Sequence, residues 1–409
     1  GIINAVQKMV SNNIDAAQKG LSNLDEGYQV HVDPALILRN HNLPPGENGM
    51  IVLVDEDMPS TVIAYSLSSA HHERAMRDLI GKVLSSESDP ESMGADAQMQ
   101  RVLLKEFEEE QEKDIVHRFQ SEECKFEVVA LFASQFYALR ALYLGENGER
   151  LFIQSLGQSR PWSTSGGKSS ADFNKSLDDK FVIKCVSSEE FNMFASICIA
   201  YFPFMDMTVS QDYPSALVKI LGMYRVKVRR GTSIDVKYVV VMQNLFCGMD
   251  ISSLRLFDLK GKVRYFGKRA RKGAVLLDGD LLRMTKGLPL AMDRISKDIL
   301  GQSLQNDTLF LQTGSIIDYS LVIGIDTVNR HIVMGVIDYM HSYDWKKRTE
   351  YALKTVVTEA TIKPPGVYSD RFMAGIEKYF CPVPAAPAAE KQRSRRRTRR
   401  ESMSLSVFE

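Results

Sequence analysis

The chain has 409 residues, 44% hydrophobic and 25% charged, an ordinary globular composition with room for two or three domains or lobes. Its formal net charge of zero hides an asymmetry, because seven basic and two acidic residues fall in 391–409 and leave the remainder acidic. Five scattered cysteines without Cys-x-x-Cys spacing argue against a zinc site and a disulfide framework and for a reducing compartment.

The first residue is Gly, with no charged leader or cleavage site behind it, so the sequence reads as a piece of something longer and its start supports no claim about targeting. The longest uncharged run, 191–205, contains Pro203 and is too short for a membrane span, which points to a soluble or peripheral protein. Residues 1–41 show weak helical patterning and stay unassigned. Residues 49–54 read as a strand, and Pro59 opens a helix whose apolar positions Ile63, Leu67, Ala70, Met76 and Ile80 follow helical spacing. His71 and His72, adjacent rather than four apart, read as a surface pair and not a metal site. Residues 85–97 are a polar, acidic linker, and 105–114 an acidic helical segment with a solvated face.

From Phe126 the pattern becomes a strand over 126–132 and then a helix carrying Phe136, Leu139 and Leu142. A Ser/Gly-rich turn, Ser163 to Ser170, contains Gly166-Gly167-Lys168-Ser169; the first glycine of a Walker motif would fall on Trp162, so no P-loop is present. The strand over 180–186 holds one lysine, Lys184, among apolar residues. A flexible glycine turn followed by such a strand is a kinase-like arrangement, weak in each part by itself. Cys185, next to Lys184, reads as a small packed residue. Residues 221–228 and 235–242 complete an antiparallel sheet, and Gln243-Asn244-Leu245-Phe246 breaks it where a two-lobed enzyme places its hinge.

Next come Asp258-Leu259-Lys260-Gly261-Lys262, a helical stretch over 277–290, and a hairpin of two apolar runs, 317–325 and 332–339. With the turn centred on Val328, Asp318 lies opposite Asp338, and cross-strand neighbours sit roughly 5 Å apart. Two carboxylates that close need a cation or a shared proton in a dry site; the alternative is a pair of solvated strand-end aspartates. A basic loop with Trp345, Lys346, Lys347 and Arg348 follows, then a helix over 369–380. Residues 381–409, Pro/Ala-rich and then Arg-rich, have the composition of a disordered tail.

Taken in order, Ser-Gly-Gly-Lys-Ser, Phe-Val-Ile-Lys, Met-Gln-Asn-Leu-Phe, Asp-Leu-Lys-Gly, Ile-Ile-Asp-Tyr-Ser-Leu, Gly-Val-Ile-Asp-Tyr and the Trp-Lys-Lys loop resemble the phosphatidylinositol phosphate kinases over about residues 117–380. Trp162 ahead of the glycine loop, the Asp-Asp-Lys before the Lys184 strand, and the block 54–69 look like that family's 3-phosphate 5-kinase branch, the PIKfyve type. The resemblance implies an α+β fold with two lobes: 42–115 an N-terminal extension, 116–245 an antiparallel-sheet N-lobe, 246–380 a mixed C-lobe and 381–409 the basic tail. It implies that Gly166, Gly167, Lys168, Ser169 and Lys184 contact ATP phosphates, and that Met242, Asn244 and Leu245 meet the adenine. Lys260 would contact the transferred phosphate, Asp318 would be the catalytic aspartate and Asp338 the Mg2+ ligand. Trp345, Lys346, Lys347 and Arg348 would meet a phosphoinositide in an anionic membrane, although a merely solvated charge run is the plainer reading of that loop.

The expected function is phosphorylation of the 5-hydroxyl of phosphatidylinositol 3-phosphate with ATP and Mg2+, in the cytoplasm at endosomal or vacuolar membranes, with no nucleic acid and with protein partners left open. The alternatives are a kinase for the 4- or 5-monophosphate lipid, and a non-catalytic membrane scaffold of the same fold. Two departures stand out: Lys262 replaces a family serine, and the loop after Asp338 lacks the longer Gly-rich stretch of this branch.

Overall fold

The computed structural model describes residues 52–84, 94–104, 114–145, 147–162, 173–266, 274–343 and 364–383. The glycine-loop residues Gly166, Gly167, Lys168 and Ser169, the loop residues Trp345 to Arg348, residues 1–41, most of the acidic segment 105–114 and the tail from 384 lie outside them.

The N-terminal block is helical. Helix α1, Pro59–Leu67, starts on a proline, whose missing N–H is no loss at that position, and Thr61 Oγ1 accepts from Asp55 N at 2.9 Å just ahead of it. Residues 52–54, expected as the end of a strand, form none. The single helix expected through Ile80 is two, because Ser68 and Ser69 turn their hydroxyls onto the carbonyls of Tyr65 and Ser66, a local competition with helix continuation. Helix α2, Ala70–Leu84, then buries His72, Met76, Leu79 and Val83 along one face. Helix α3, Ala95–Leu104, begins inside the stretch expected to be linker.

The histidine pair is not a surface pair. His71 is exposed and stacks on His117 with ring centroids 5.0 Å apart, whereas His72 is 4% exposed and neither of its ring nitrogens has a hydrogen-bond partner among the described residues. Burial, with Arg140 nearby, holds the His72 pKa at about 3. Above pH about 6.5 the ring is neutral folded or unfolded. Below it the unfolded chain takes up a proton that the folded core refuses, so stability falls as pH drops from about 6.5 toward about 3. His72→Phe is expected to remove about 2 kcal/mol of the stability lost between about pH 7 and pH 5. Urea midpoints at both pH values check this, and an unchanged pH dependence in the variant would refute it.

A seven-stranded sheet follows. Its strands are β1, Ile115–Gln120; β2, Cys124–Ala130; β3, Ser159–Pro161; β4, Phe173–Ser176; β5, Phe181–Val186; β6, Ile220–Arg230; and β7, Ser233–Gln243. They lie in the order β1-β2-β6-β7-β5-β4-β3, and every pairing is antiparallel. Two helices, α4, Ala133–Leu144, and α5, Gly148–Gly157, are tied together by the buried Arg140. Its guanidinium donates to Glu149 at 2.5 and 2.8 Å and to the Leu221 carbonyl at 2.9 Å.

Helix α6, Ser188–Ser210, opens on a reciprocal capping box between Ser187 and Glu190, a signal present in the sequence. Contrary to the reading of its longest uncharged run, this 23-residue helix is long and apolar enough, by length and composition, to cross a membrane. Here Phe194, Cys198, Tyr201, Phe202 and Met205 are fully buried, and Tyr201 Oη donates to the Ile220 carbonyl at 3.1 Å. It serves this fold as a core helix.

A second sheet combines β8, Leu254–Leu259, β9, Leu276–Leu277, β12, Ser320–Asp326, and β13, His331–Ile337, in the order β13-β12-β8-β9. Around it stand α7, Asp278–Met284; β10, Leu290–Asp293; α8, Arg294–Thr313; β11, Ile316–Ile317; β14, His341–Ser342; α9, Pro365–Glu377; and β15, Phe380–Val383. Strand β12 is buried at every position, while β13 is half-buried along most of its length, so only one of the two hairpin strands is enclosed on both faces as expected. The α+β reading stands.

The segment 216–218 joins the two sheets. Val336 N donates to the Ala216 carbonyl at 2.7 Å and Val218 N to the Val336 carbonyl at 3.0 Å. The segment is fixed from behind by Asp307, fully buried on α8, which accepts from Ser215 Oγ at 2.6 Å and Ala216 N at 2.7 Å. Burial pushes the Asp307 carboxyl up to about 7.

Candidate active site

The two aspartates sit where the hairpin ladder is interrupted. Strands β12 and β13 pair from Ser320↔Ile337 to Asp326↔His331, and the same chain segments pair again as β11 and β14, Ile317↔His341 and Ile316↔Ser342. Between these ladders lie Asp318 and Tyr319 on one strand and Asp338, Tyr339 and Met340 on the other, one residue more, as in a bulge. Both aspartates take left-handed backbone angles, φ 69° at Asp318 and 60° at Asp338. Such conformations persist only where surrounding structure enforces them. Tyr339 supplies part of that enforcement, its hydroxyl donating to the Val218 carbonyl at 2.5 Å. Tyr368 of α9 does the same at the Tyr319 carbonyl, also at 2.5 Å.

The direct opposition of Asp318 and Asp338 expected from a turn centred on Val328 is corrected by one register step. Asp326 accepts from Val328 N at 2.9 Å and from Asn329 N at 3.0 Å, making a side-chain turn that shifts the register, with the ladder closed by Asp326↔His331. The extra residue at the junction shifts the register one step further in the β11–β14 ladder, so Asp318 and Asp338 lie in the same interruption without facing each other as a cross-strand pair.

Each aspartate has a lysine. Lys184 reaches from the middle of β5, its side chain 8% exposed, and its Nζ is 3.0 Å from Asp338 Oδ1. Across the ladder Phe173 faces Lys184, and the ammonium sits 5.7 Å from the centre of that ring, a cation–π contact. The Phe173 ring in turn meets Trp162 edge-on at 6.1 Å, so the two aromatics flank the ends of the stretch that contains the glycine loop. Lys260, one residue past β8, places its Nζ 2.7 Å from both the Asp318 carbonyl and Asp318 Oδ1.

The turn that carries Lys260 is held by residues the sequence reading passed over. Asp278, fully buried at the start of α7, accepts from Lys260 N at 3.1 Å, Tyr379 Oη at 3.0 Å and Arg264 at 3.0 Å. Gly261 follows with φ 66°, and a Cβ on Gly375 of α9 would lie 2.4 Å from the Gly261 backbone. The helix axis and the turn therefore touch directly, which requires glycine at both positions. Asp258, two residues before Lys260, has its carboxyl pushed up chiefly by burial, with Asp338 adding to the rise and Arg264 and Lys260 opposing it. Its Oδ1 has no hydrogen-bond partner among the described residues. Acidic residues opening a short helix look like ordinary capping, which is why Asp278 gave no signal.

The expected adenine-contacting residues divide. Met242 is half-buried on β7 and faces Val182. Leu245 packs against the backbone of Gly335 on β13, and Phe246 against Gly324 on β12. Asn244 is buried with its side chain already used: Nδ2 donates to the Asp179 carbonyl at 2.6 Å and Oδ1 accepts from Phe246 N at 3.2 Å. It shapes the corner between the sheets instead of offering a free amide.

Mg2+ takes oxygen ligands and is usually held by one or two carboxylates together with phosphate oxygens. Asp338, its side chain 45% exposed, keeps Oδ2 without a hydrogen bond among the described residues, and Asp258, on β8 with β12 between it and β13, has Arg264 Nη2 3.9 Å from its Oδ1. No cluster of three or more His, Cys, Asp or Glu occurs among the described residues. The donor set suits an ion completed by a nucleotide's phosphates.

Residues 158–333 match the family model for phosphatidylinositol-4-phosphate 5-kinase, and this stretch, which contains Lys184, Lys260 and Asp318, belongs to the phosphatidylinositol phosphate kinase family. Within that family the similarity is to 3-phosphate 5-kinases. The chain is 35% identical over 280 residues, 65% of its length, to the 1-phosphatidylinositol 3-phosphate 5-kinase of Mus musculus. It is 32% identical over 391 residues, 85% of its length, to a 1-phosphatidylinositol-3-phosphate 5-kinase of Arabidopsis thaliana. The corresponding enzyme of Saccharomyces cerevisiae is 35% identical over 246 residues. The chain spans 13%, 22% and 11% of these three relatives.

Proposed function

We propose that the chain is the catalytic part of an ATP- and Mg2+-dependent lipid kinase that phosphorylates the 5-hydroxyl of phosphatidylinositol 3-phosphate to give phosphatidylinositol 3,5-bisphosphate. The observation that carries this reading is the strand junction at which Lys184 pairs with Asp338 and Lys260 with Asp318. The seven-stranded sheet is then the nucleotide lobe and the four-stranded sheet the second lobe, with the Asn244 corner between them.

Phosphoryl transfer needs little covalent help from protein and much positioning and charge. Lys184, held by Phe173, neutralises ATP phosphates. Gly166, Gly167, Lys168 and Ser169 approach them from the glycine loop, and Met242 and Leu245 border the adenine. Asp318 accepts the proton of the attacking 5-hydroxyl as its oxygen bonds to the γ-phosphorus and the bond to the β-phosphate oxygen breaks, releasing ADP. Lys260, already on Asp318, offsets charge on the moving phosphoryl group. Asp338, with Asp258 behind it, would hold Mg2+, which when bound neutralises phosphate charge. Trp345, Lys346, Lys347 and Arg348 meet the lipid's existing phosphate. A peripheral place on cytoplasmic endosomal or vacuolar membranes accords with this substrate.

The test is transfer of labelled phosphate from ATP to each monophosphorylated phosphoinositide, with the product isomer identified. Phosphorylation of the 3-phosphate lipid at the 5-position is expected. A preference for the 4- or 5-phosphate lipid would move the chain to another branch of the family, and lipid binding without ATP consumption would make it a scaffold.

A further inference from the structure

Next to the Lys260 turn, residues 261–266 run over the surface without regular structure, yet they are fixed from inside. Arg264 turns inward to Asp278 at 3.0 Å and to the Asp258 carbonyl at 3.0 Å. Its own carbonyl accepts from Gly279 N at 2.7 Å, and Phe266 N donates to Asp280 Oδ2 at 2.7 Å. With Arg264 and Phe266 directed inward, Val263 and Tyr265 are held outward, 53% and 56% exposed. The Tyr265 ring lies against Gly279 and under the Arg283 guanidinium, 4.8 Å away. Three residues beyond Arg283, a tight turn closed by Gly287 N on the Leu282 carbonyl at 2.7 Å presents Lys286 and leaves Leu288 68% exposed.

Val263, Tyr265 and Leu288 are thus large apolar side chains at the surface, interleaved with Lys262, Arg283 and Lys286. The acidic residues of these segments are turned in: Asp278 is fully buried, and Asp280 is 8% exposed with its oxygens taken by Phe266 N, Leu277 N and Arg283. Exposed apolar side chains among cations, with no exposed carboxylate in these segments among the described residues, match the boundary of an anionic bilayer, where apolar groups enter the headgroup layer and basic ones meet lipid phosphates. An acidic protein surface would satisfy the cations and leave the three apolar side chains unused.

We infer that Val263, Tyr265 and Leu288, with Lys262, Arg283 and Lys286, form a docking face for an anionic lipid bilayer beside the Lys260–Asp318 pair. The choice of a bilayer rests on the lipid-kinase reading above. Because Lys262 lies two residues from Lys260, docking this face would bring the catalytic turn to the headgroup layer.

The experiment compares the full chain with a Val263→Ser, Leu288→Ser double variant in sedimentation with vesicles of phosphatidylcholine containing about a fifth phosphatidylserine. Both replaced side chains are mostly solvated, so folding is preserved. Tyr265, which packs on Gly279, is left intact. Binding of the double variant is expected to weaken about tenfold, while phosphorylation of a water-soluble short-chain phosphatidylinositol 3-phosphate stays within about twofold of the parent. Unchanged vesicle binding in the variant, or equal binding of the parent to vesicles with and without phosphatidylserine, would overturn the docking face. Sedimentation needs no turnover: a parent that phosphorylates no lipid overturns the kinase reading, and the vesicle comparison still decides the docking face.

Discussion

Asp338→Asn is expected to lower lipid phosphorylation by about 10³-fold, the scale seen when one preorganised charge is taken from a phosphoryl- or acyl-transfer site. The reason is double. In the proposed mechanism Asp338 would offer Oδ2 to a cation, and through Oδ1 it is the ion partner of Lys184 among the described residues, at 3.0 Å. That lysine is buried in a strand, its side chain 8% exposed, so an asparagine leaves its charge without a counterion. Asp338 itself is 45% exposed, so the cost falls on the lysine, whose buried charge loses its partner. Nucleotide affinity should fall together with turnover, measured by equilibrium binding of ATP with and without Mg2+. Asp338→Asn made in a Lys184→Met background separates the two causes, since no charge is then stranded and any further loss reports the carboxylate alone. A folded Asp338→Asn protein with parental turnover would remove Asp338 from the mechanism.

Asp318→Asn is expected to cost about 10²- to 10⁴-fold in turnover, the usual contribution of a positioned base, with the KM for ATP nearly unchanged because in the proposed mechanism Asp318 serves the acceptor and not the nucleotide. Geometry makes a further demand. Lys260 Nζ touches both the Asp318 carbonyl and its carboxylate at 2.7 Å, so asparagine retains the backbone contact and loses only the charge. Lys260→Met should therefore damage the same step, and the double variant should be little worse than either single one, as for groups that act as a unit. Fully additive losses in kcat would show that the two residues act in different steps.

The lysine strand, Asp-Leu-Lys-Gly and the two aspartates were legible because each is a short chemical signature on a local element, and local elements follow from periodicity and turn residues. The order of these signatures named a family, and the match over residues 158–333 agrees with it. Elsewhere local reading failed for identifiable reasons. Helix α6 was passed over because its apolar run was weighed only as a membrane span, despite the Ser187–Glu190 capping box. His71 and His72 looked alike, but only the packing of α2 against the rest of the N-terminal block decides which one is buried. The hairpin register was missed by one residue, because the Asp326 side-chain turn cannot be counted from apolar spacing.

By itself the amino-acid order determined which side chains carry charge, where strands and turns alternate, and which carboxylates belong to one hairpin. These are properties of neighbours in the chain. Tertiary structure alone decided that Lys184 meets Asp338 across 154 residues and Lys260 meets Asp318 across 58. It also brought Asp278, Tyr379 and the Gly261–Gly375 contact to the Lys260 turn, and Tyr368 to the Tyr319 carbonyl. The physical reason is that a buried polar group must find its partner wherever packing brings one within hydrogen-bond reach. That partner is chosen by how sheets and helices stack, which no single stretch of sequence records.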